Sequence, residues 1–249
     1  TFQLMVDAED REVYGFFALT ASDSSRYYAM WRGFGNHLFV AVSRLPLISY
    51  TRQIFAALQK EDPNDLYRIM LYLCRIPILP GYRLEYRIEL PQSSVSLYFS
   101  ATDTPRDLDM AAVVWSIFTP PMIVSCWEAM IMEKKVLVLS NSAKIVPVCA
   151  EFLSRLIQPL ALITTYVPLL PQALINAIEA PFPYLLGALK KYVTDDIDLS
   201  DTVVVDVDMR TVTVPLSHEL DKECFRPPAD LKANMLRRIA QLMTDPLGD

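Results

Sequence analysis

Between residues 127 and 187 the chain alternates apolar runs of strand length with segments whose apolar residues recur every three or four positions. Residues 136–139 form a continuous apolar run, short enough for a strand buried on both faces. Ser142 is placed to cap a following helix in which Ile145, Val148, Cys149, Phe152, Leu153 and Leu156 share one stripe. Residues 160–167 and 184–189 are further strand candidates. Between them a short helix carries Pro171 in its first turn and Leu174, Ile175 and Ile178 on its buried side. Strand, helix, strand, helix, strand over so short a span constrains the topology to a parallel sheet with crossover helices.

The first hundred residues carry a different pattern. Segments 2–6 and 13–19 read as strands around the acidic turn 7–10, with Gly15 as a bulge, and 38–43 reads as a third strand. Segment 22–35 is aromatic-rich but aperiodic and reads as a loop. After Pro46 comes a helix with Tyr50, Ile54, Phe55 and Leu58 inward. Asp62 and Pro63 then open a second, with Leu66, Ile69, Met70 and Leu73 on one face. Segment 83–90 alternates strictly: Leu84, Tyr86, Ile88 and Leu90 face one way, Arg83, Glu85, Arg87 and Glu89 the other. That predicts a half-exposed antiparallel strand, paired with 95–99 across the turn 91–94. The polar segment 101–109, containing Pro105, is the expected linker between this part and the rest. Beyond it, 110–118 and 123–132 are helical, with Ile123, Val124, Trp127, Met130 and Ile131 inward. After residue 187 a charged loop (190–201) precedes a hairpin of 202–207 with 211–214. An amphipathic helix at 229–243 has Leu231, Met235, Leu236, Ile239 and Leu242 on its apolar side.

Hydrophobic residues make up 52% of the 249, and the formal charge is −6. The first figure gives ample core for folding, and the second argues against a nucleic-acid-binding surface. Cys74, Cys126, Cys149 and Cys224 are far apart and form no C-x-x-C, so they are expected to be small buried hydrophobes in a reducing compartment. No secretory signal is present, and the sequence starts at Thr1, as a fragment of a longer protein would. Residues 156–178 run uncharged for 23 positions, long enough to span a bilayer. Pro159, Pro168 and Pro171 would leave backbone groups there that lipid cannot satisfy, so buried core is the expectation.

The usual signatures of chemistry are missing. The six glycines form neither G-x-G-x-x-G nor a phosphate loop. His37 and His218 have unrelated surroundings, and neither Ser140 nor Ser142 sits in a G-x-S-x-G elbow. Asp195, Asp196, Asp198 and Asp201 fail as a calcium loop. Counted from Asp196, Asp201 stands where the turn glycine is needed and Val207 where the bidentate glutamate belongs. Glu133-Lys134-Lys135 is either a functional charge cluster or a helix end whose lysines face its negative pole, and the second account is preferred. No metal, cofactor or catalytic residue is therefore expected.

Several phrases nonetheless match a known pattern in order. They are Val13-Tyr14-Gly15-Phe16, Val42-Ser43-Arg44-Leu45-Pro46 and Leu79-Pro80-Gly81 upstream. Centrally they are Trp127-Glu128, Glu133-Lys134-Lys135-Val136-Leu137-Val138-Leu139-Ser140, Tyr166-Val167-Pro168-Leu169-Leu170-Pro171 and Ala180-Pro181-Phe182-Pro183-Tyr184-Leu185-Leu186-Gly187, followed by Val203-Val204-Val205-Asp206-Val207-Asp208. In these the chain resembles the DENN domain, a module best known in guanine-nucleotide exchange factors for Rab GTPases. The resemblance implies an α/β protein of two lobes. The first is a longin-like lobe with an antiparallel sheet (1–104). The second is a C-terminal α/β lobe with a largely parallel sheet (105–249), cut short downstream. It implies a Rab-family GTPase as partner, and other subunits of a complex where the module serves as a non-catalytic adaptor. The expected location is cytoplasmic, and peripheral on membranes through the GTPase. A third implied role is a GTPase-activating component that supplies an arginine finger. Arg75, Arg83 and Arg106, charged and near the lobe junction, are the candidate GTPase-binding residues. Where central segments of the family read P-F-x-W the tryptophan is absent, and Ala161-Leu162-Ile163 stands there.

Overall fold

A computed structural model describes residues 14–20, 25–34, 37–44, 48–62, 64–76, 84–99, 108–160, 162–216 and 227–244. The chain divides into two compact units, Thr1–Asp109 and Met110–Asp249.

In the first unit, β1 (Tyr14–Thr20), β2 (Arg26–Phe34) and β3 (His37–Ser43) form an antiparallel meander in that order. The loop expected at 22–35 is therefore corrected: most of it is the central strand. Tyr28, Ala29, Met30, Trp31 and Arg32 are all buried in succession, so both faces of β2 are covered and no alternation survives to be read. Edge strand β3 does alternate, with Phe39 buried and Leu38, Val40 and Val42 exposed. Helix α1 (Ile48–Leu58) packs on β2, and its Phe55 ring lies 6.0 Å from that of Phe39. The same helix packs on β5. Strands β4 (Leu84–Glu89) and β5 (Ser94–Phe99) are the predicted hairpin, in register from Leu84 opposite Phe99 to Glu89 opposite Ser94. Ile88 is buried while Arg87 and Glu89 are exposed, as the alternation requires. The buried Glu61 carboxylate holds the hairpin turn, accepting from Gln92 N at 3.0 Å and Ser93 Oγ at 2.5 Å.

Helix α2 (Leu66–Leu73) starts later than the expected cap at Asp62. Asp62 instead closes a local turn through its Oδ1 on Asn64 N, 2.8 Å away. Pro63, the strand and turn at 2–10 and most of the linker at 101–109 lie outside the described residues. Positions 108 and 109 already belong to the next helix.

The second unit is three-layered. Helix α3 (Leu108–Ile117) is separated from α4 (Pro120–Ile131) by Thr119, whose hydroxyl accepts from Met122 N at 3.4 Å as an N-cap, with Pro120 and Pro121 in the first turn. Strand β6 (Lys135–Ser140) leads through α5 (Ile145–Arg155) to β7 (Thr165–Val167). A 3-10 helix (Gln172–Glu179) then leads to β8 (Tyr184–Leu189). Strands β9 (Thr202–Asp206) and β10 (Thr211–Thr213) follow, and α6 (Ala229–Thr244) is the last described helix. The sheet order is β10-β9-β6-β8-β7. Every pair is parallel except β10 with β9. The expected largely parallel sheet is thus present, and β7 is shorter than the expected 160–167. The uncharged stretch 156–178 runs through the turns after α5, β7 and into the 3-10 helix. Among the described residues no helix is long and apolar enough to cross a membrane.

Strand β6 sits at the centre, with Val136, Leu137 and Val138 fully buried. On one face Leu137, Leu139, Tyr184 and Leu186 pack with Leu170 and Ile178 from the 3-10 helix region. On the other, α4 and α5 cover the sheet. Helix α5 buries a carboxylate there: Glu151 accepts from Arg155 Nε at 3.0 Å and from the Tyr166 hydroxyl at 2.7 Å, tying the helix to β7. The helix has no hydroxyl cap, which corrects the expectation for Ser142. The carbonyl of Ser142 receives the Ile145 and Val146 N–H groups, and its own N–H goes to Ser140 Oγ.

Gly187 in β8 marks the closest approach of these layers. A Cβ built on it would collide with the Pro168 carbonyl oxygen and Val146 Cγ1, and the Gly187 carbonyl accepts from Leu170 N at 2.7 Å. Gly187→Ala is expected to cost about 3 kcal/mol or more, measured by urea unfolding. A loss below about 1 kcal/mol would mean that the Pro168 segment yields instead.

Candidate functional site

In an open parallel sheet, polar side chains gather outside the carboxyl ends of the strands. Here three adjacent strands, β8, β6 and β9, end beside one another, with Ser140 opposite Leu189 and Leu139 opposite Asp206. Each contributes polar groups at or just past its end: Ser140 and Asn141 from β6, Lys190 from β8, Asp206 and Asp208 from β9. The Asp208 carboxylate accepts from Ser140 Oγ (2.6 Å), Asn141 N (2.9 Å) and Asn141 Nδ2 (2.9 Å). Lys190 Nζ bridges Asp206 at 2.7 Å and Asp208 at 3.1 Å. Asp206 also accepts from Met209 N at 2.9 Å, and Val207 N donates to Leu139 O at 2.9 Å. The turn that follows includes Arg210 at φ 54°, the left-handed region, held by these bonds at its base.

Burial alone would raise the Asp208 pKa, but Ser140, Asn141 and Lys190 outweigh it and hold it below the ordinary value. Burial alone would lower Lys190, yet Asp206 and Asp208 raise it. The Ser140 hydroxyl is buried and donates to a carboxylate, and both oxygens of Asp208 accept hydrogen bonds. The cluster fastens three strand ends.

The remaining candidates are local. Asp196 accepts from Thr194 Oγ1 and Asp198 from Ser200 N at 2.9 Å; both are exposed, and these bonds lower their pKa values. Asp201 pairs with Lys135 at 3.3 Å. These acidic residues do not converge on one point. Cys126 and Cys149 are buried hydrophobes as expected. Burial, and then the neighbouring Cys149 for one and Asp208 for the other, pushes both thiols up to about 12. Cys74 is exposed, which corrects the expectation for that residue, and Cys224 lies outside the described residues.

Of the three arginines singled out from the sequence, Arg75 lies exposed in the turn that ends α2, its N–H donating to Tyr72 O at 3.0 Å. Arg83 and Arg106 lie outside the described residues. The sequence pattern finds the preceding helix α2 but places Met70 on its inward face, and the structure exposes Met70. Only Ile69 of α2 is fully buried, and Tyr67, Met70, Leu71 and Tyr72 are exposed.

Comparison with known proteins brings in a family. The model described as "DENN (AEX-3) domain" matches residues 35–210. The "DENN domain-containing protein C297.05" of Schizosaccharomyces pombe is 29% identical over 146 residues, 56% of this chain and 15% of that protein. The "Elicitor of plant defense protein 1" of Verticillium dahliae is 31% identical over 155 residues, 60% of this chain and 13% of that protein. The human "DENN domain-containing protein 2C" is 23% identical over 208 residues, 77% of this chain and 22% of that protein. The chain thus spans less than a quarter of the length of each.

Replacing Asp208 by Ala strips Lys190, Ser140 and Asn141 of their common acceptor; because Asp208 is solvent-exposed, the screened loss should be about 1–2 kcal/mol at pH 7. Because the Asp208 pKa is lowered on folding, its contribution is present above the ordinary value of 3.8 and lost as pH falls through the folded value. The stability gap between wild type and Asp208→Ala should therefore narrow in urea titrations as pH falls below the ordinary value of 3.8. A gap constant over that range would assign the loss to packing alone.

Proposed function

The chain belongs to the DENN (AEX-3) domain family, and from that membership we propose that it binds a Rab-family small GTPase and promotes exchange of GDP for GTP. The match across residues 35–210 carries this reading. The proposed lobes are a longin-like one at 1–104 and an α/β one at 105–249. The proposed setting is cytoplasmic, peripheral on membranes through the GTPase. Arg75, Arg83 and Arg106 are proposed to face the GTPase.

An exchange factor needs no nucleophile and no metal of its own. It acts by preferring the GTPase without nucleotide, so that each ligand weakens the other by the same factor. A thousandfold weakening corresponds to about 4 kcal/mol of coupling. A surface that holds the switch loops away from nucleotide and magnesium supplies such coupling.

One observation favours a second reading, a non-catalytic adaptor. The family resemblance leads one to expect a P-F-x-W tryptophan near residues 161–163, where this chain has Ala161-Leu162-Ile163, and the nearby Leu160 and Ile163 are exposed. Release of fluorescent GDP from a panel of Rab GTPases separates the two. Exchange predicts acceleration of at least tenfold for one or a few members. No acceleration anywhere, together with a stable protein partner that co-purifies, would replace exchange by the adaptor role.

A further inference from the structure

Strand β3 is an edge strand built unlike one. Its partner β2 runs along one side in unbroken register, from His37 opposite Phe34 to Ser43 opposite Tyr28. No described strand lies along its other side, and the second sheet of this unit pairs β4 only with β5. Native edges are ordinarily guarded against further pairing by a lysine, a proline, an inward charge or a bulge. Residues 37–43 contain no proline, lysine, arginine or carboxylate, and the one-to-one register leaves no bulge. The hairpin β4-β5 shows the contrast, since its exposed positions carry the Arg87–Glu89 ion pair.

The side chains of β3 divide between two faces. Phe39 turns toward Phe55 of α1, whereas Leu38, Val40 and Val42 point to the opposite face and are 63%, 44% and 63% exposed. Their neighbours on β2, Trp31 opposite Val40 and Ala29 opposite Val42, are buried. This apolar face is therefore covered over β2 and open over β3. Arg44, the first charge past the strand, is drawn back to its own sheet. Its Nη2 donates to the Tyr27 hydroxyl at 3.1 Å, and its guanidinium lies 5.4 Å from the Tyr27 ring.

A partner for this edge must offer an uncharged strand with aliphatic side chains at alternate positions, and β3 is itself such a strand. Residues directly opposite in an antiparallel pair point to the same face, so only registers that set exposed positions against exposed ones are allowed. Centring the pair on Val40 uses the whole strand. Leu38 then meets Val42 of the second copy, Phe39 meets Ala41 and Val40 meets Val40, with no like charges opposed. A slip of one residue would set each exposed aliphatic side chain against the α1 face.

We propose that β3 pairs antiparallel with β3 of a second copy of this chain, about a two-fold axis at Val40, to give a continuous six-stranded sheet. The ladder is about 24 Å long. With its two rows of aliphatic side chains it makes a patch smaller than the roughly 1,600 Å² of a standard interface, so the dimer is reversible, with a dissociation constant on the order of tens of micromolar. This pairing stands whether or not the exchange reading does.

Sedimentation velocity of the purified chain from about 1 to about 300 µM brackets that constant. The wild type is expected to pass reversibly from monomer to dimer over this range. Leu38→Lys combined with Val42→Lys sets like charges opposite one another and should weaken the dimer at least tenfold. Val40→Lys, which opposes two ammonium groups at the axis, should do the same. Leu38→Lys combined with Val42→Glu sets opposite charges face to face and should stay within about threefold of wild type. Urea midpoints close to that of the wild type are expected throughout, because all three positions are exposed. A chain monomeric at every concentration would leave the edge to some other strand and overturn the proposal. A dimer that survives both lysine variants would lie elsewhere on the surface, and equal loss in the two double variants at unchanged urea midpoints would exclude this register; either result overturns it as well.

Discussion

Strand β6 is enclosed on both faces and hydrogen-bonded along both edges, and the second unit is positioned by that enclosure. A backbone strand in such a place must satisfy every N–H and C=O by pairing. Strand β8 supplies one edge and β9 the other, in parallel register along nearly the whole strand. Parallel pairing places the connections at alternate ends, so the carboxyl ends of all three strands share one side. The fastening of Ser140 and Asn141 to Asp208, and of Asp208 to Lys190, follows from that geometry. The close approach at Gly187 serves the same enclosure from the α5 face.

The sheet of the second unit was legible in the sequence because strands buried on both faces read as unbroken apolar runs, as at 136–139 and 184–189. The same rule explains the principal error. Strand β2 is also buried on both faces, but its sequence mixes Arg26, Arg32, Tyr27, Tyr28 and Trp31, whose polar ends mask the run. Glu151 escaped for a related reason. A carboxylate on a helix reads as solvent-facing, and only the fold reveals that Arg155 and Tyr166 meet it. Cap assignments at Ser142 and Asp62 failed because the hydrogen bonds there form in the turns that precede the helices: Ser142 donates its N–H to Ser140 Oγ, and the Asp62 carboxylate accepts from Asn64 N.

The candidate site was legible only in part. Four residues of the strand-end cluster stand in the phrases that carried the family resemblance: Ser140, Asp206 and Asp208 at strand ends, and Leu139 beside them. Their convergence depends on a sheet order in which β9 crosses to the far side of β6, which spacing along the chain does not encode. Helix α2 is the opposite case. Periodicity correctly found an amphipathic helix but assigned Met70 inward, because an eight-residue helix with apolar groups around most of its circumference has no single preferred face. Exposure, and not pattern, distinguishes the stripe that packs from the one that does not.

The pairing of β6 with β9 spans some sixty residues of intervening chain, and this has a consequence for biosynthesis. As the polypeptide leaves the ribosome, residues 135–140 emerge first and acquire β8 on one flank while the other flank waits for 202–206. During that interval an apolar strand offers a bare row of donors and acceptors, the kind of edge that recruits other chains. A nascent chain of this fold is thus most in need of a chaperone's shelter after β8 has been made and before Asp206 has appeared.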